Sequence, residues 1–281
     1  MKESFFKERG LYYRMNEGPT GGPVLLFIHG LSGSSSAWAD YEQAFEADYK
    51  ILSVDLRGHG VSRKPNDYDA YEVEKISDDV AALLDHLGIT SFIPISHSFG
   101  TLVAVSLLRQ HPQGAVAAIF LSSTYGIFRI PLTRATRLFV GMCSRIARLF
   151  TFSEKPGIHV DYSKYRETGD WNLRRISADL PNITVHVYLY CLDHVYAQDR
   201  DPWWHEIRTP ALIVHGTRDT ISPFSHATRL SREMPSARLV AIKGANHILP
   251  LNRFKEVRDI VGAYVNEHID LLGARAGPVV F

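Results

Sequence analysis

The chain has 281 residues, of which 45% are hydrophobic and 22% charged, and its formal net charge is +1. This length and apolar content suit one large domain with an insertion, and the balanced charge does not point to nucleic acid or an acidic partner. The first residues alternate charges with aromatics and lack the apolar stretch of a signal peptide, and no run of about 18 apolar residues could span a membrane. We therefore expect a cytoplasmic protein.

Short apolar runs alternate with longer amphipathic segments, which is typical of an α/β fold with a mostly parallel, doubly wound sheet. An antiparallel hairpin is predicted first, over Ser4–Glu8 and Leu11–Met15. Later strands are predicted at Val24–Ile28, Ile51–Val54, Phe92–Ile95, Ala117–Leu121, Ala211–Val214 and Leu239–Ile242. Apolar residues at helical spacing predict helices at Val73–Leu87, which ends at Gly88, and at Arg253–His268.

Ser98 lies in Ser96-His97-Ser98-Phe99-Gly100, between a predicted strand and the helix-like run Thr101–Gln110. A sharp strand-to-helix turn of this kind holds a serine hydroxyl above the sheet edge, and small residues on both sides let the backbone pass. Asp219 and His247 each follow a later predicted strand. Open α/β sheets bind their ligands at this carboxyl edge, so we expect the three side chains to meet there.

These residue types fit nucleophilic catalysis. A serine hydroxyl is a poor nucleophile until an imidazole takes its proton, and a carboxylate must orient that imidazole. We therefore predict Ser98 as nucleophile, His247 as base and then acid, and Asp219 as the orienting group. A helix cap, a turn aspartate and a surface histidine would explain the three residues singly, but their order and placement favour the triad.

Two further motifs are Phe27-Ile28-His29-Gly30-Leu31-Ser32-Gly33 and Asp55-Leu56-Arg57-Gly58-His59-Gly60. With the three motifs above, they make the chain resemble the α/β-hydrolase superfamily, in particular its carboxylesterases and small lipases, over nearly its whole length. Ser96 stands where that family commonly has glycine, and serine is small enough for the turn. The resemblance implies an oxyanion hole formed by the backbone N–H groups of Leu31 and Phe99.

The alternation of strands and helices stops between Tyr125 and Glu206, a stretch too long for an ordinary connection. In the hydrolases that the chain resembles, a helical cap is inserted here, after the sixth strand. The resemblance thus implies a core of residues 1–124 and 207–281 and a cap of residues 125–206.

Apolar and aromatic residues of the predicted cap are expected to bind the substrate, namely Phe139, Met142, Leu149, Trp203 and Trp204. Several arginines lie between the apolar residues of the same segment. Basic amphipathic helices can lie weakly on anionic membranes, but we favour a helix with a solvated basic face and an apolar face over the pocket.

No metal or other cofactor is expected, because the histidines are scattered and the two cysteines, Cys143 and Cys191, form no ligand cluster. The favoured function is hydrolysis of small-molecule carboxylic esters of small or medium acyl length through an acyl-enzyme. The alternatives are a carbon–carbon bond hydrolase, a lactonase or a thioesterase on the same scaffold, and a receptor without turnover. Serine at position 98 argues against epoxide hydrolases and haloalkane dehalogenases, because a resemblance to those enzymes would require aspartate at this position.

Overall fold

A computed structural model describes residues 1–124, 131–197 and 201–275. Its centre is an eight-stranded sheet with the order β1-β2-β4-β3-β5-β6-β7-β8. The strands are β1 Lys2–Phe6, β2 Leu11–Met15, β3 Val24–Ile28, β4 Ile51–Val54, β5 Phe92–His97, β6 Ala118–Leu121, β7 Ala211–Gly216 and β8 Ala237–Ile242. The first two strands are antiparallel, and those from β4 across to β8 run parallel. The predicted α/β fold class is confirmed.

Helices cover both faces of this sheet. In the described ranges they are α1 Ala39–Phe45, α2 Val73–His86, α3 Phe99–Gln110, α4 Pro131–Ala147, α5 Leu173–Ile183, α6 Val185–Ala197, α7 Asp201–Glu206, α8 Phe224–Glu233, α9 Leu249–Asn252 and α10 Phe254–Arg275. None of these helices combines the length and apolarity needed to cross a bilayer.

The alternation of side chains along β3 shows how the two layers form. Leu26 and Ile28 belong to the core cluster that contains α2 and α3, whereas Leu25 and Phe27 belong to the cluster that contains α1 and α10. A strand buried on both faces has no polar face to present, which explains the continuous apolar runs in the sequence.

Most predicted elements differ from the structure by two residues or fewer at an end, and the first strand and the last helix show the clearest differences. The first strand is Lys2–Phe6 and not Ser4–Glu8, because the apolar Phe6 pairs with the buried Leu11 and leaves a charged turn that ends at Gly10. Gly10 has φ of 67°, a conformation that glycine adopts without strain. The last helix is longer than predicted and reaches Arg275.

The segment between β6 and β7 carries α4 to α7 and hydrogen-bonds to the core. Asn182 accepts from the Gly60 N–H at 2.6 Å and donates to the carbonyl oxygens of Ser32 at 2.5 Å and Gly33 at 2.7 Å. His159 Nε2 lies 2.8 Å from Asp55 Oδ2. The segment is thus attached to the loops that follow β3 and β4. Its definition as a separate cap domain over residues 125–206 stays a prediction.

Candidate active site

Ser98 occupies the turn between β5 and α3. Its φ of 50° and ψ of −118° are uncommon for a residue with a side chain. Close packing enforces the turn, since a Cβ atom on Gly100 would lie 2.4 Å from the His29 carbonyl oxygen. Ser96 is buried, and its hydroxyl donates to the Ile119 carbonyl oxygen at 3.3 Å. Serine is therefore accommodated at the position where the family commonly has glycine.

The structure brings the three predicted catalytic residues together. His247 Nε2 lies 2.9 Å from Ser98 Oγ, and His247 Nδ1 lies 2.8 Å from Asp219 Oδ2. An ionised carboxylate only accepts hydrogen bonds, so the proton belongs on Nδ1 and Nε2 is free to accept from the serine hydroxyl. The backbone N–H groups of Ile221 and Ser222 donate to the other oxygen of Asp219 and fix its position.

Burial and hydrogen bonding keep Asp219 ionised and keep His97, whose ring lies beside that of His247, neutral. Burial alone would raise the pKa of Asp219, but hydrogen bonds from His215 and His247 outweigh burial and hold that pKa well below its usual range. Burial, with the adjacent His247, lowers the pKa of His97 to about 3. His97 is therefore neutral around pH 7, and its Nε2 donates to the His247 carbonyl oxygen at 2.9 Å.

The predicted oxyanion donors lie on the two segments nearest Ser98. Phe99 is the first residue of α3, directly after the serine. A Cβ atom on Gly30 would lie 3.3 Å from Ser98 Cβ, so the backbone that leads to Leu31 passes close to Ser98. His29 holds this loop, since its Nε2 accepts from the Leu56 N–H at 3.0 Å. The donor roles of Leu31 and Phe99 stay predictions.

The sequence analysis missed Asp170, a buried residue just before α5. Its Oδ1 accepts from the His247 N–H at 2.8 Å, and its Oδ2 accepts from the Thr220 N–H at 2.9 Å. The loops that carry His247 and Asp219 are therefore both held by one carboxylate of the segment between β6 and β7. No sequence signal indicates these contacts, because Asp170 is 77 residues from His247 and its carboxylate oxygens accept from backbone N–H groups.

A narrow cavity of about 60 Å³ lies beside the triad. Apolar side chains form part of its wall, and Arg175, Asp179, Tyr162 and Ser32 form a polar part. The sequence analysis did not single out these four polar residues as substrate contacts.

The five predicted substrate-binding residues lie elsewhere, outside the lining of this cavity. Phe139, Met142 and Leu149 are 61%, 50% and 79% exposed. The guanidinium carbon of Arg109 lies 4.5 Å from the ring centre of Trp203. Trp204 is buried against Phe120 of β6. Both tryptophans thus contact the core. A substrate-binding role for the five residues stays a prediction.

In the ranges that the structure describes, no group of three or more histidine, cysteine, aspartate or glutamate side chains is arranged to hold a metal ion.

A serine, a histidine and an aspartate in hydrogen-bonded series at the carboxyl edge of a parallel sheet have the geometry of a serine hydrolase. The family model described as the alpha/beta hydrolase fold matches residues 23–254, and the chain belongs to this family.

Known proteins similar to this chain fall in several reaction classes. A dihydrolipoyllysine-residue acetyltransferase component of the acetoin cleaving system of Pseudomonas putida is 26% identical over 266 residues, which cover 89% of this chain. The match spans 65% of that relative's length. A thermophilic esterase from Thermogutta terrifontis has a TM-score of 0.70 at 20% identity, covering 92% of this chain and 94% of its own. The enol-lactonase from Burkholderia xenovorans has a TM-score of 0.69 at 22% identity, covering 91% and 96%. These likenesses to solved structures show the fold.

Proposed function

We propose that the protein is a serine hydrolase that cleaves carboxylic esters of small or medium acyl length through an acyl-enzyme. The observation that carries the proposal is the pair of short contacts made by His247, 2.9 Å to Ser98 Oγ and 2.8 Å to Asp219 Oδ2. A nucleophile and a base within hydrogen-bond reach, with a third group orienting the base, is the arrangement that activates serine.

In the first half of the reaction, Ser98 Oγ attacks the ester carbonyl carbon while His247 Nε2 takes the hydroxyl proton. The carbonyl oxygen becomes an oxyanion, for which the N–H groups of Leu31 and Phe99 are the proposed donors. The intermediate collapses, the bond to the alkoxy oxygen breaks, and His247 returns the proton to that oxygen. An alcohol leaves, and the acyl group remains on Ser98.

In the second half, water attacks the acyl-enzyme. His247 takes a proton from the water, the second tetrahedral intermediate collapses, and the proton goes to Ser98 Oγ. The carboxylic acid is released and the serine is regenerated. Asp219 stays ionised throughout and stabilises the imidazolium, which agrees with its lowered pKa.

The alternatives are reactions of the same serine on other acyl groups. The similar structures include an esterase and an enol-lactonase, and thioesters or carbon–carbon bonds beside a carbonyl would meet the same nucleophile. We favour simple esters because the chain resembles carboxylesterases and small lipases at the elbow and both triad loops.

The test is Ser98→Ala, assayed with a nitrophenyl ester series from acetate to palmitate beside a lactone and a thioester. We expect the rate to fall by about 10⁴-fold or more and labelling by a fluorophosphonate probe to disappear. Ser106→Ala is the matched control, since Ser106 lies in α3, the helix that follows Ser98, is buried, and has a hydroxyl without a hydrogen-bond partner in the described part of the chain. Activity retained above about a hundredth of wild type would show that Ser98 is not the nucleophile.

A further inference from the structure

The narrow cavity beside the triad has properties that ester hydrolysis alone does not explain. It reaches Gly30 and Leu31 on one side and His97 and Ile248 on the other. These residues adjoin Ser98 and His247 in space or in sequence, so a substrate bound to the triad can extend a group into the cavity.

Two N–H donors of the residues that line the cavity are unused. Arg175 Nε and Trp38 Nε1 are buried and have no hydrogen-bond partner within the described ranges. The two residues are only 9% and 1% exposed, so open solvent does not satisfy these donors. Buried N–H groups in native proteins nearly always have a partner. Both groups are donors, and their missing partner is therefore an acceptor.

The guanidinium of Arg175 is incompletely paired. Its Nη2 donates to the Asp170 carbonyl oxygen at 2.7 Å, but its ion pair with Asp179 is a single long contact of 3.4 Å between Nη1 and Oδ2. A well-formed arginine–carboxylate pair has two parallel and shorter bonds. Arg175 therefore retains capacity for a second carboxylate.

An anion bound in the cavity would lie near the carboxylate of Asp179. Hydrogen-bond donors already balance part of the negative charge of that carboxylate. The Tyr162 hydroxyl donates to its Oδ1 at 2.8 Å, and the Ser32 hydroxyl lies 3.5 Å from its Oδ2. Burial raises the pKa of Asp179 to about 6, although Tyr162 and Arg175 oppose that shift. These donors reduce the repulsion between Asp179 and an anionic group in the cavity.

We propose that this cavity binds a carboxylate carried by the ester substrate, with Arg175 as its cation and the Trp38 N–H as a further donor. The planar donor fork of arginine matches a carboxylate, while Leu31, Ile248 and Leu251 form apolar walls for a short chain between that carboxylate and the ester. The substrate class is thus half-esters of short dicarboxylic acids. This inference rests on the proposed ester hydrolysis.

The test compares monoethyl succinate, glutarate and adipate with ethyl alkanoates of the same acyl carbon number, at about pH 7.5, where the free carboxyl groups are ionised. Acid release is followed by titration at constant pH. We expect wild type to prefer the half-ester by about 10- to 100-fold in kcat/KM for at least one chain length. Arg175→Met should remove that preference, so that kcat/KM falls about 10- to 100-fold more for the half-ester than for the alkanoate. Arg174→Met, an exposed neighbour on α5, is the matched control and should keep the preference.

A second variant, Trp38→Phe, tests the same site if Arg175→Met does not fold. Trp38→Phe keeps an aromatic ring and removes one N–H, and it should lower kcat/KM for the half-ester several-fold more than for the alkanoate. Equal rates for half-ester and alkanoate in wild type would overturn the carboxylate site while leaving ester hydrolysis intact, and would mean that the cavity holds water. An equal loss on both substrates in the variants would also overturn it. Failure of the proposed function would look different, because no ester would be cleaved and the fluorophosphonate would not label Ser98.

Discussion

Asp170 Oδ1 accepts a hydrogen bond from the backbone N–H of His247 at 2.8 Å. The other oxygen accepts from the N–H and hydroxyl groups of Thr220, the residue after Asp219. Nearby, the Thr168 carbonyl oxygen accepts from the side-chain amide of Asn246 at 2.9 Å. A short segment before α5 therefore fixes the position of the loop of the proposed base relative to that of the proposed acid.

Asp170→Ala is expected to lower kcat by about 10- to 100-fold with little change in KM, because a small displacement of His247 disturbs proton transfer more than binding. Asp170→Asn keeps an acceptor for the His247 N–H and should fall between wild type and alanine. The control is Asp161→Ala, since Asp161 is exposed and its carboxylate bonds to Ser163 and Lys164 of its own turn. An unchanged kcat in the alanine variant, or an equal loss in the control, would contradict the positioning role.

Asp219→Asn should lower kcat by about 10⁴-fold, because asparagine favours the wrong tautomer of His247. Steady-state kinetics with one short nitrophenyl ester measure the effect. The sequence offers two other carboxylates between β6 and β7 as substitutes, Asp193 and Asp199. Asp193 instead bonds to the Tyr68 hydroxyl at 3.0 Å and pairs with Arg148, and Asp199 lies outside the described residues. A near-normal rate in Asp219→Asn would show that another acid orients the histidine.

The rate should rise with pH along one limb, because a general base must be in its proton-accepting form. His97 should add no second limb, because its pKa of about 3 lies below the assay range. His97→Gln keeps a donor for the His247 carbonyl oxygen and should leave the midpoint of the limb in place. A profile that is flat from about pH 5 to 9 would exclude a histidine base.

Acid stability should depend on Asp55. Burial would raise the pKa of Asp55, but its hydrogen bond with His159, the charges of His159 and His29, and the Ser35 N–H lower it to about 2. A folded-state pKa below the unfolded value of about 3.9 stabilises the protein above that pH, by about 2 kcal/mol, and this contribution is lost as pH falls from about 4 to 2.

Urea unfolding of His159→Gln between about pH 3 and 6 tests this relation, and the pH dependence of the unfolding free energy should become shallower than in wild type. His205→Gln is the control, because His205 faces Glu233 in an exposed pair that contributes little. An identical slope in wild type and His159→Gln would contradict the assignment.

Truncation of Phe139, Met142 or Leu149 to alanine should shift the preferred acyl length in a graded way, by about 1–3 kcal/mol per methylene, if these residues bind the substrate. Trp204→Ala should instead lower the unfolding free energy by about 3–5 kcal/mol, because this side chain packs on Phe120. Rates for an ester series and urea unfolding distinguish the two effects. If the Phe139, Met142 and Leu149 variants changed the rates of all esters by one common factor, a pocket role would be excluded.

Local patterns were enough to predict much of this molecule. The central strands are continuous apolar runs, and the elbow around Ser98 is a compact motif with its partners in sequence order. Asp170 could not be found in this way, since its contacts cross from the segment between β6 and β7 to loops that follow distant strands. Arg175 bonds within that segment, to Asp170 and Asp179, and only the fold brings it to the cavity lined by Gly30 and His97. Trp204 shows a related difficulty, because an aromatic residue in the expected cap packs against the core strand β6.

Arg175 donates to the carbonyl oxygen of Asp170, so the residue proposed to select the substrate and the residue that steadies His247 are directly bonded. A change of selectivity made at Arg175 would therefore also disturb turnover. An exchange of the whole insertion would retain Ser98 but replace Asp170, the acceptor for the N–H groups of His247 and Thr220. Divergence of this lineage towards new substrates is thus easiest through the apolar wall at Ile248 and Leu251, or through compensated pairs of changes.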